Sequence, residues 1–273
     1  MKNNRIKLFR GALKANHLDA FLISNFHNIS YLTGFTTLTE NERESWLLIT
    51  GQDSYIFSDS RYITSSLDQK VCDNGESEFR LISHQNQLLT QLSKIFDKKK
   101  LVRLGIESDD LKVGELNKLK QFIAGIEIVE TEKLILTQRN VKDEEEINKI
   151  KTACRLTDRC LREITQYIKS GRREKEIVFR IEYWLKKRGL ELAFNPIVAV
   201  DENSSKPHYD TLKGDNKKIQ PGSLILIDFG VKYRGYISDM TRMFFAGSKP
   251  PPDISRAYLS LKSSRLAAIK ALN

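Results

Sequence analysis

Leu224 to Phe245 reads LILIDFGVKYRGYISDMTRMFF, and this stretch decides how the second half of the chain folds. Two β-rich runs, Leu224–Phe229 and Tyr236–Phe245, flank Lys232-Tyr233-Arg234-Gly235. Gly235 is free to take a positive φ, so the stretch predicts a β-hairpin. With the turn centred between Tyr233 and Arg234, Asp228 falls directly across from Asp239. Opposed residues hold their Cβ atoms about 4.5–5.5 Å apart on one face of the ribbon. Alternation sends Ile225, Ile227 and Phe229 to the other face, which is apolar and suits a core. Like charges set opposite each other destabilise a sheet, so either one carboxyl keeps its proton or a cation lies between them. Paired carboxylates suit Mn²⁺, Co²⁺ or Zn²⁺ in a hydrolytic two-metal site. A one-residue slip in pairing would put the two groups on opposite faces. Two plain surface or turn aspartates are the alternative.

Upstream of the hairpin, Asp143 to Ile168 repeats apolar residues at helical spacing behind an acidic first turn, Asp143-Glu144-Glu145-Glu146. Those acids complement the helix dipole, and Ser170-Gly171 ends the pattern. A second helix is predicted over Glu174–Arg188 and a strand over Phe194–Val200. Downstream, Pro250-Pro251-Pro252 breaks the chain, and a last helix begins near Asp253. The first ~130 residues alternate helix and strand patterns, as α/β domains do. Helices are predicted at Asn4–Leu18, Arg61–Leu67, Gln87–Phe96 and Leu111–Phe122. Strands are predicted at Asp19–Ile23, Trp46–Thr50, Tyr55–Phe57, Phe79–Ile82, Leu101–Ile106 and Ile126–Val129. Gly51-Gln52-Asp53-Ser54 joins two of them as a hairpin turn. A boundary is expected between Thr131 and Val141, giving domains at 1–133 and 142–273.

Composition narrows the class. With 40% hydrophobic and 29% charged residues among 273, the chain is neither disordered nor low in complexity. No apolar run approaches the ~18–20 residues of a membrane span, and the basic N-terminus lacks a signal peptide's apolar core. The net charge of +10 comes from short scattered runs such as Lys98-Lys99-Lys100 and Lys186-Lys187-Arg188. None alternates with aromatic residues as a base-stacking surface would, so no nucleic-acid partner and no membrane partner is expected. Cys72, Cys154 and Cys160 form no CxxC pair and fit free thiols in a reducing, cytoplasmic setting.

Four segments together carry a resemblance. They are Asn195–Val200, Pro207-His208-Tyr209, Pro221–Gly230 and Gly235–Arg242. The ordered set closely resembles the pita-bread metallopeptidases, in the Xaa-Pro aminopeptidase/prolidase branch. Asn28–Phe35 and Asp59-Ser60-Arg61-Tyr62 are similar to the creatinase-like domain that precedes the catalytic domain in that group. The fold implied is an α/β creatinase-like domain with a mixed sheet, followed by an incomplete α+β pita-bread domain. The resemblance also implies two divalent metals held by two Asp, one His and two Glu, most simply Mn²⁺. Asp228 would be a bidentate ligand of one metal and Asp239 the ligand shared by both. His208 matches a histidine that lines the substrate pocket and stabilises a developing oxyanion. The implied activity is removal of an N-terminal residue from peptides with proline second, by a homodimer. The implied alternatives are an Xaa-Pro dipeptidase (prolidase) or a non-catalytic binding protein on the same fold.

The departures matter as much. After Asp239 the sequence contains no histidine and no glutamate. The remaining ligands and the catalytic base are therefore expected beyond Asn273, and this polypeptide is expected to be a fragment, inactive alone. Asp201 stands where members of the group often carry a small residue.

Overall fold

In the computed structural model, residues 2–39, 42–63, 79–83, 88–123 and 125–272 are described. They fall into two units, Met1–Val141 and Lys142–Asn273. Cys72 and the end of the helix expected over Arg61–Leu67 lie outside the described residues.

The first unit opens with helix α1 (Lys2–Ala15), whose Ile6, Phe9 and Leu13 recur at three- and four-residue spacing and are buried. Strand β1 (Ala20–Ile23), helix α2 (Phe26–Thr33), the hairpin β2 (Ser45–Thr50) and β3 (Ser54–Ser58), and the short α3 (Ser60–Ile63) follow. Then come β4 (Phe79–Ser83), α4 (Leu88–Lys99), β5 (Arg103–Glu107), α5 (Val113–Phe122), β6 (Glu127–Thr131) and α6 (Leu134–Asn140). The six strands form one sheet in the order β4-β3-β2-β1-β5-β6. Strand β1 pairs antiparallel with β2 and parallel with β5, so the sheet is mixed as expected. Phe21 and Ile23 join Ile6 and Phe9 in one core, while Ala20 and Leu22 join Leu92 and Phe96 in another. Apolar cores on both faces explain why β1 reads as an unbroken apolar run.

Two helices of this unit are absent from the sequence reading. Helix α2 is capped by Asn25, whose side chain accepts from Asn28 N, and ends at Gly34 with φ 75°. Helix α6 occupies the segment expected to be a boundary.

The second unit begins with α7 (Glu144–Ile164). Asp143 accepts from Glu146 N while Glu146 accepts from Asp143 N, a closed capping box. Ala153, Thr157, Cys160 and Ile164 line its buried face. Helix α8 (Glu174–Lys186), β7 (Glu191–Leu192), β8 (Ile197–Val200), β9 (Leu224–Phe229), β10 (Val231–Tyr233), β11 (Tyr236–Ile237), β12 (Met240–Phe245) and α9 (Pro252–Ala271) follow. They make two three-stranded sheets, β12-β9-β8 and β11-β10-β7. Ile225, Ile227 and Phe229 pack with Val198, Val200 and residues of α7 and α8 in one core. The opposite parity of β9, Leu224, Leu226 and Asp228, is only half-buried. One face of this sheet is thus sealed, and the other carries the aspartate.

Candidate metal centre

Asp228 sits in the central strand of its sheet, between Ile197 of β8 and Thr241 of β12. This corrects the expected register. The pairs Lys232↔Ile237 and Tyr233↔Tyr236 centre the turn on Arg234-Gly235, one residue later than Tyr233-Arg234. Both turn residues have positive φ, 49° and 80°, as a type I′ hairpin turn requires. Moving the centre by one residue moves every pairing by two. Asp228 therefore faces Thr241, and Asp239 falls opposite Gly230, between the Phe229↔Met240 pair and the bond from Ser238 N to Val231 O. A shift of two preserves the face, so Asp239 remains a diagonal neighbour of Asp228.

The strand expected over Tyr236–Phe245 is two strands, β11 and β12, interrupted at Ser238-Asp239. The partner ribbon breaks opposite, at Gly230. A Cβ built on Gly230 would overlap the Ser238 carbonyl oxygen, so only glycine lets the two chains cross this closely. Asp239 is carried on that corner and is exposed.

The electrostatics of the pair are those of an acid held against another acid. Burial, then the Asp239 carboxylate, push Asp228 above the ordinary aspartate range, and a hydrogen bond with Thr241 opposes them. Asp228 Oδ1 is shielded from solvent and has no hydrogen-bond partner. A buried carboxylate oxygen without a donor is costly. A divalent cation would supply the missing partner and cancel the repulsion, so the donor chemistry fits a metal. Among the described residues, no three His, Cys, Asp or Glu side chains converge as a complete metal site.

His208 is exposed, with φ 54°, in the turn after a 3-10 helix over Asp201–Ser205. Among the described residues, no hydrogen bond or ion pair joins it to either aspartate. Its loop is nevertheless fixed just downstream. Thr211 Oγ1 accepts from Val198 N at 2.8 Å and donates to Val198 O at 3.0 Å. Val198 pairs with Ile227, the neighbour of Asp228. Tyr209 is buried, and its hydroxyl donates to Glu174 Oε2 at 2.9 Å. Burial, followed by the Glu174 carboxylate, raises the Tyr209 phenol to about 12.

Glu174 escaped the sequence reading. It is fully buried and accepts four hydrogen bonds, from Val200 N, Asn203 Nδ2, Tyr209 OH and Lys217 N. Its only sequence signal is its place in the first turn of α8. Asp201 also has a definite role. It adopts φ 53° and accepts from Leu224 N and Ser223 Oγ, which anchors the start of β9.

A mixed-sheet α/β unit followed by a unit that sets a strand carboxylate beside one on a hairpin corner defines a protein of the creatinase/prolidase class. Residues 5–141 match the Creatinase/Prolidase N-terminal domain, and residues 148–273 match Metallopeptidase family M24. The chain belongs to metallopeptidase family M24, with a creatinase/prolidase N-terminal domain. It is 28% identical over 252 residues to the Xaa-Pro dipeptidase of Pyrococcus horikoshii, covering 90% of this chain and 65% of that protein. The structure of an Xaa-Pro dipeptidase from Bacillus anthracis superposes with a TM-score of 0.84 at 25% identity, covering 97% of this chain and 71% of that one. An X-Pro aminopeptidase from Thermotoga maritima gives 0.75 at 28% identity, covering 90% and 67%. The chain thus spans roughly two-thirds of the length of these relatives. Family membership brings divalent metal chemistry with it, and no described helix is long and apolar enough to cross a membrane.

Proposed function

We propose that this chain carries part of the active centre of an exopeptidase acting on peptides with proline in second position. Asp228 and Asp239 would hold the divalent metal, which supplies Lewis acidity and an activated water when bound. The observation that carries this reading is the orphaned, buried Oδ1 of Asp228 beside a second carboxylate. Neither a surface pair nor a plain binding module accounts for that oxygen. His208, held by the Tyr209 and Thr211 anchors, would donate a hydrogen bond to a substrate oxygen as it gains charge. The X-Pro bond lacks an N–H, so it calls for a dedicated site.

Removal of the N-terminal residue from longer peptides is the first reading. Cleavage of Xaa-Pro dipeptides is the second, favoured by the names of the Pyrococcus and Bacillus relatives. Asp228 and Asp239 are two ligands, and no His or Glu follows them in the sequence. The polypeptide alone should therefore bind Mn²⁺ weakly and leave both peptide classes intact. Isothermal titration with Mn²⁺ tests the site: weak binding in the wild type should vanish in the Asp228→Ala, Asp239→Ala double variant. Identical titrations would remove the metal assignment. Efficient Mn²⁺-dependent hydrolysis by the wild type would overturn the ligand count.

A further inference from the structure

The corner that carries Asp239 is tied to helix α7 by a buried hydrogen bond between two hydroxyls. Thr157 and Ser238 are both buried, at 1% and 4% exposure, and their hydroxyl oxygens are 2.6 Å apart. Thr157 Oγ1 lies 3.0 Å from Ala153 O and Ser238 Oγ lies 3.3 Å from Val231 O, so either hydroxyl can donate to the other, which then donates to the carbonyl beside it. The Ser238 oxygen also accepts from Val231 N at 3.0 Å. In both arrangements each hydroxyl donates its proton once, so neither is left unsatisfied. The backbone adds a bond from Ser238 N to Val231 O at 3.1 Å.

We propose that Thr157 and Ser238 are positioning residues for the Asp239 carboxylate. The buried hydroxyl pair fixes the corner, and the corner aims the acid at Asp228. The site needs this tether because the ladder is interrupted there: strand pairing stops at Gly230 on one side and Ser238-Asp239 on the other. Gly230, with no Cβ, leaves room for the Ser238 carbonyl from across the ribbon, while Thr157 holds the Ser238 side chain from the helix. Asp239 is the next residue. Its own side chain is exposed, so its backbone must be placed by its neighbours. Groups that orient a metal ligand without touching the metal typically cost 10–100-fold in affinity when removed. The inference rests on the reading of Asp228 and Asp239 as metal ligands.

The test compares the wild type with Thr157→Val, Thr157→Ser and Ser238→Ala, using Mn²⁺ titration and amide hydrogen exchange of the metal-free chain. Valine keeps the shape of threonine without its hydroxyl, and serine keeps the hydroxyl. Thr157→Val and Ser238→Ala should weaken Mn²⁺ binding about tenfold, and Thr157→Ser should restore wild-type affinity. In the metal-free chain the same two variants should speed exchange at Asp239 to Thr241 about tenfold or more, with the interior of α7 unchanged. Wild-type affinity and wild-type exchange in Thr157→Val would overturn the proposal. So would faster exchange throughout α7, or failure of serine to rescue, because either marks general packing. If the wild type binds no Mn²⁺, the metal reading falls, and unchanged exchange at the corner would then overturn the tether as well. A valine variant that fails to fold leaves Ser238→Ala to decide by the same two measurements.

Discussion

Asp239 stands across the ribbon from Gly230, and Gly230 has no room for a side chain against the Ser238 carbonyl. The residue that looks least chemical in Asp228-Phe229-Gly230 is thus the one that lets the second carboxylate approach the first. Gly230→Ala should force the corner apart. A stability loss of about 1–3 kcal/mol, the range for overpacking a tight site, is expected in denaturant melts. Loss of Mn²⁺ binding should accompany it.

Asp228 should make metal binding sensitive to pH. Burial and the neighbouring carboxylate make Asp228 keep its proton to a higher pH than a free aspartate. Protons compete with metal for a carboxylate. Mn²⁺ affinity should therefore fall with decreasing pH from above the ordinary aspartate range. Asp239→Asn removes one cause of the shift and should move the midpoint of that loss to lower pH, in titrations repeated across a pH series.

Glu174 joins four donors from separate stretches of the second unit, and truncating it would leave several of them buried and unpaired. Unmet buried donors cost about 1–3 kcal/mol each. Glu174→Ala should thus destabilise the unit by at least about 3 kcal/mol. Asn203 and Tyr209 lose a partner, so side-chain resonances of His208 should broaden in NMR spectra of any Glu174→Gln protein that folds.

In the first unit, Glu107 caps the start of α2, accepting from Ser24 N, Asn25 N and Asn28 Nδ2. Arg139 donates to Asn28 Oδ1 at 2.7 Å, which fixes the Asn28 amide with its nitrogen toward Glu107. Glu107→Gln would meet that nitrogen with another donor and should cost about 1–3 kcal/mol. Burial, the largest cause, raises Glu107 above the ordinary glutamate range, so the folded state binds its proton more tightly than the unfolded chain does. Its contribution to stability should then decline as pH climbs from the ordinary value through the raised one. Glutamine should flatten that slope in melts taken across the window.

Cys160 is buried, and desolvation lifts its thiol to about 12, whereas Cys154 is exposed. Thiolate is the reactive form. Alkylation followed by peptide mapping should label Cys154 and leave Cys160 intact until the protein unfolds.

Regular elements with strong periodicity were legible in the sequence. The Leu224–Phe229 strand, the amphipathic α1 and the buried β1 all announce themselves by spacing. Helix α2 does not, because its eight residues give barely two turns of pattern, and its real signals are the flanking Asn25 and Gly34. The hairpin register missed by two because Gly235 was read as one permissive residue. The structure needs Arg234 left-handed as well, which Arg pays for in strain and its sequence does not advertise. The parity of the two aspartates survived that error, so their shared face was legible although their pairing was not. Glu174, Thr157 and Ser238 were invisible, since the partners of Glu174 lie 26–43 residues away and Thr157 and Ser238 are 81 residues apart, so only folding joins them.

The two-residue tip at Arg234-Gly235 governs more than a loop. Side chains swap sides of the ribbon with every one-residue slip in the pairing of the arms. A slip of one would turn Asp239 toward the packed helices, and the chain would face a charge in its interior or a broken ladder. A slip of two would return it to the proper side. The left-handed pair at the tip, by holding the register, thus decides which side of the ribbon the acid occupies.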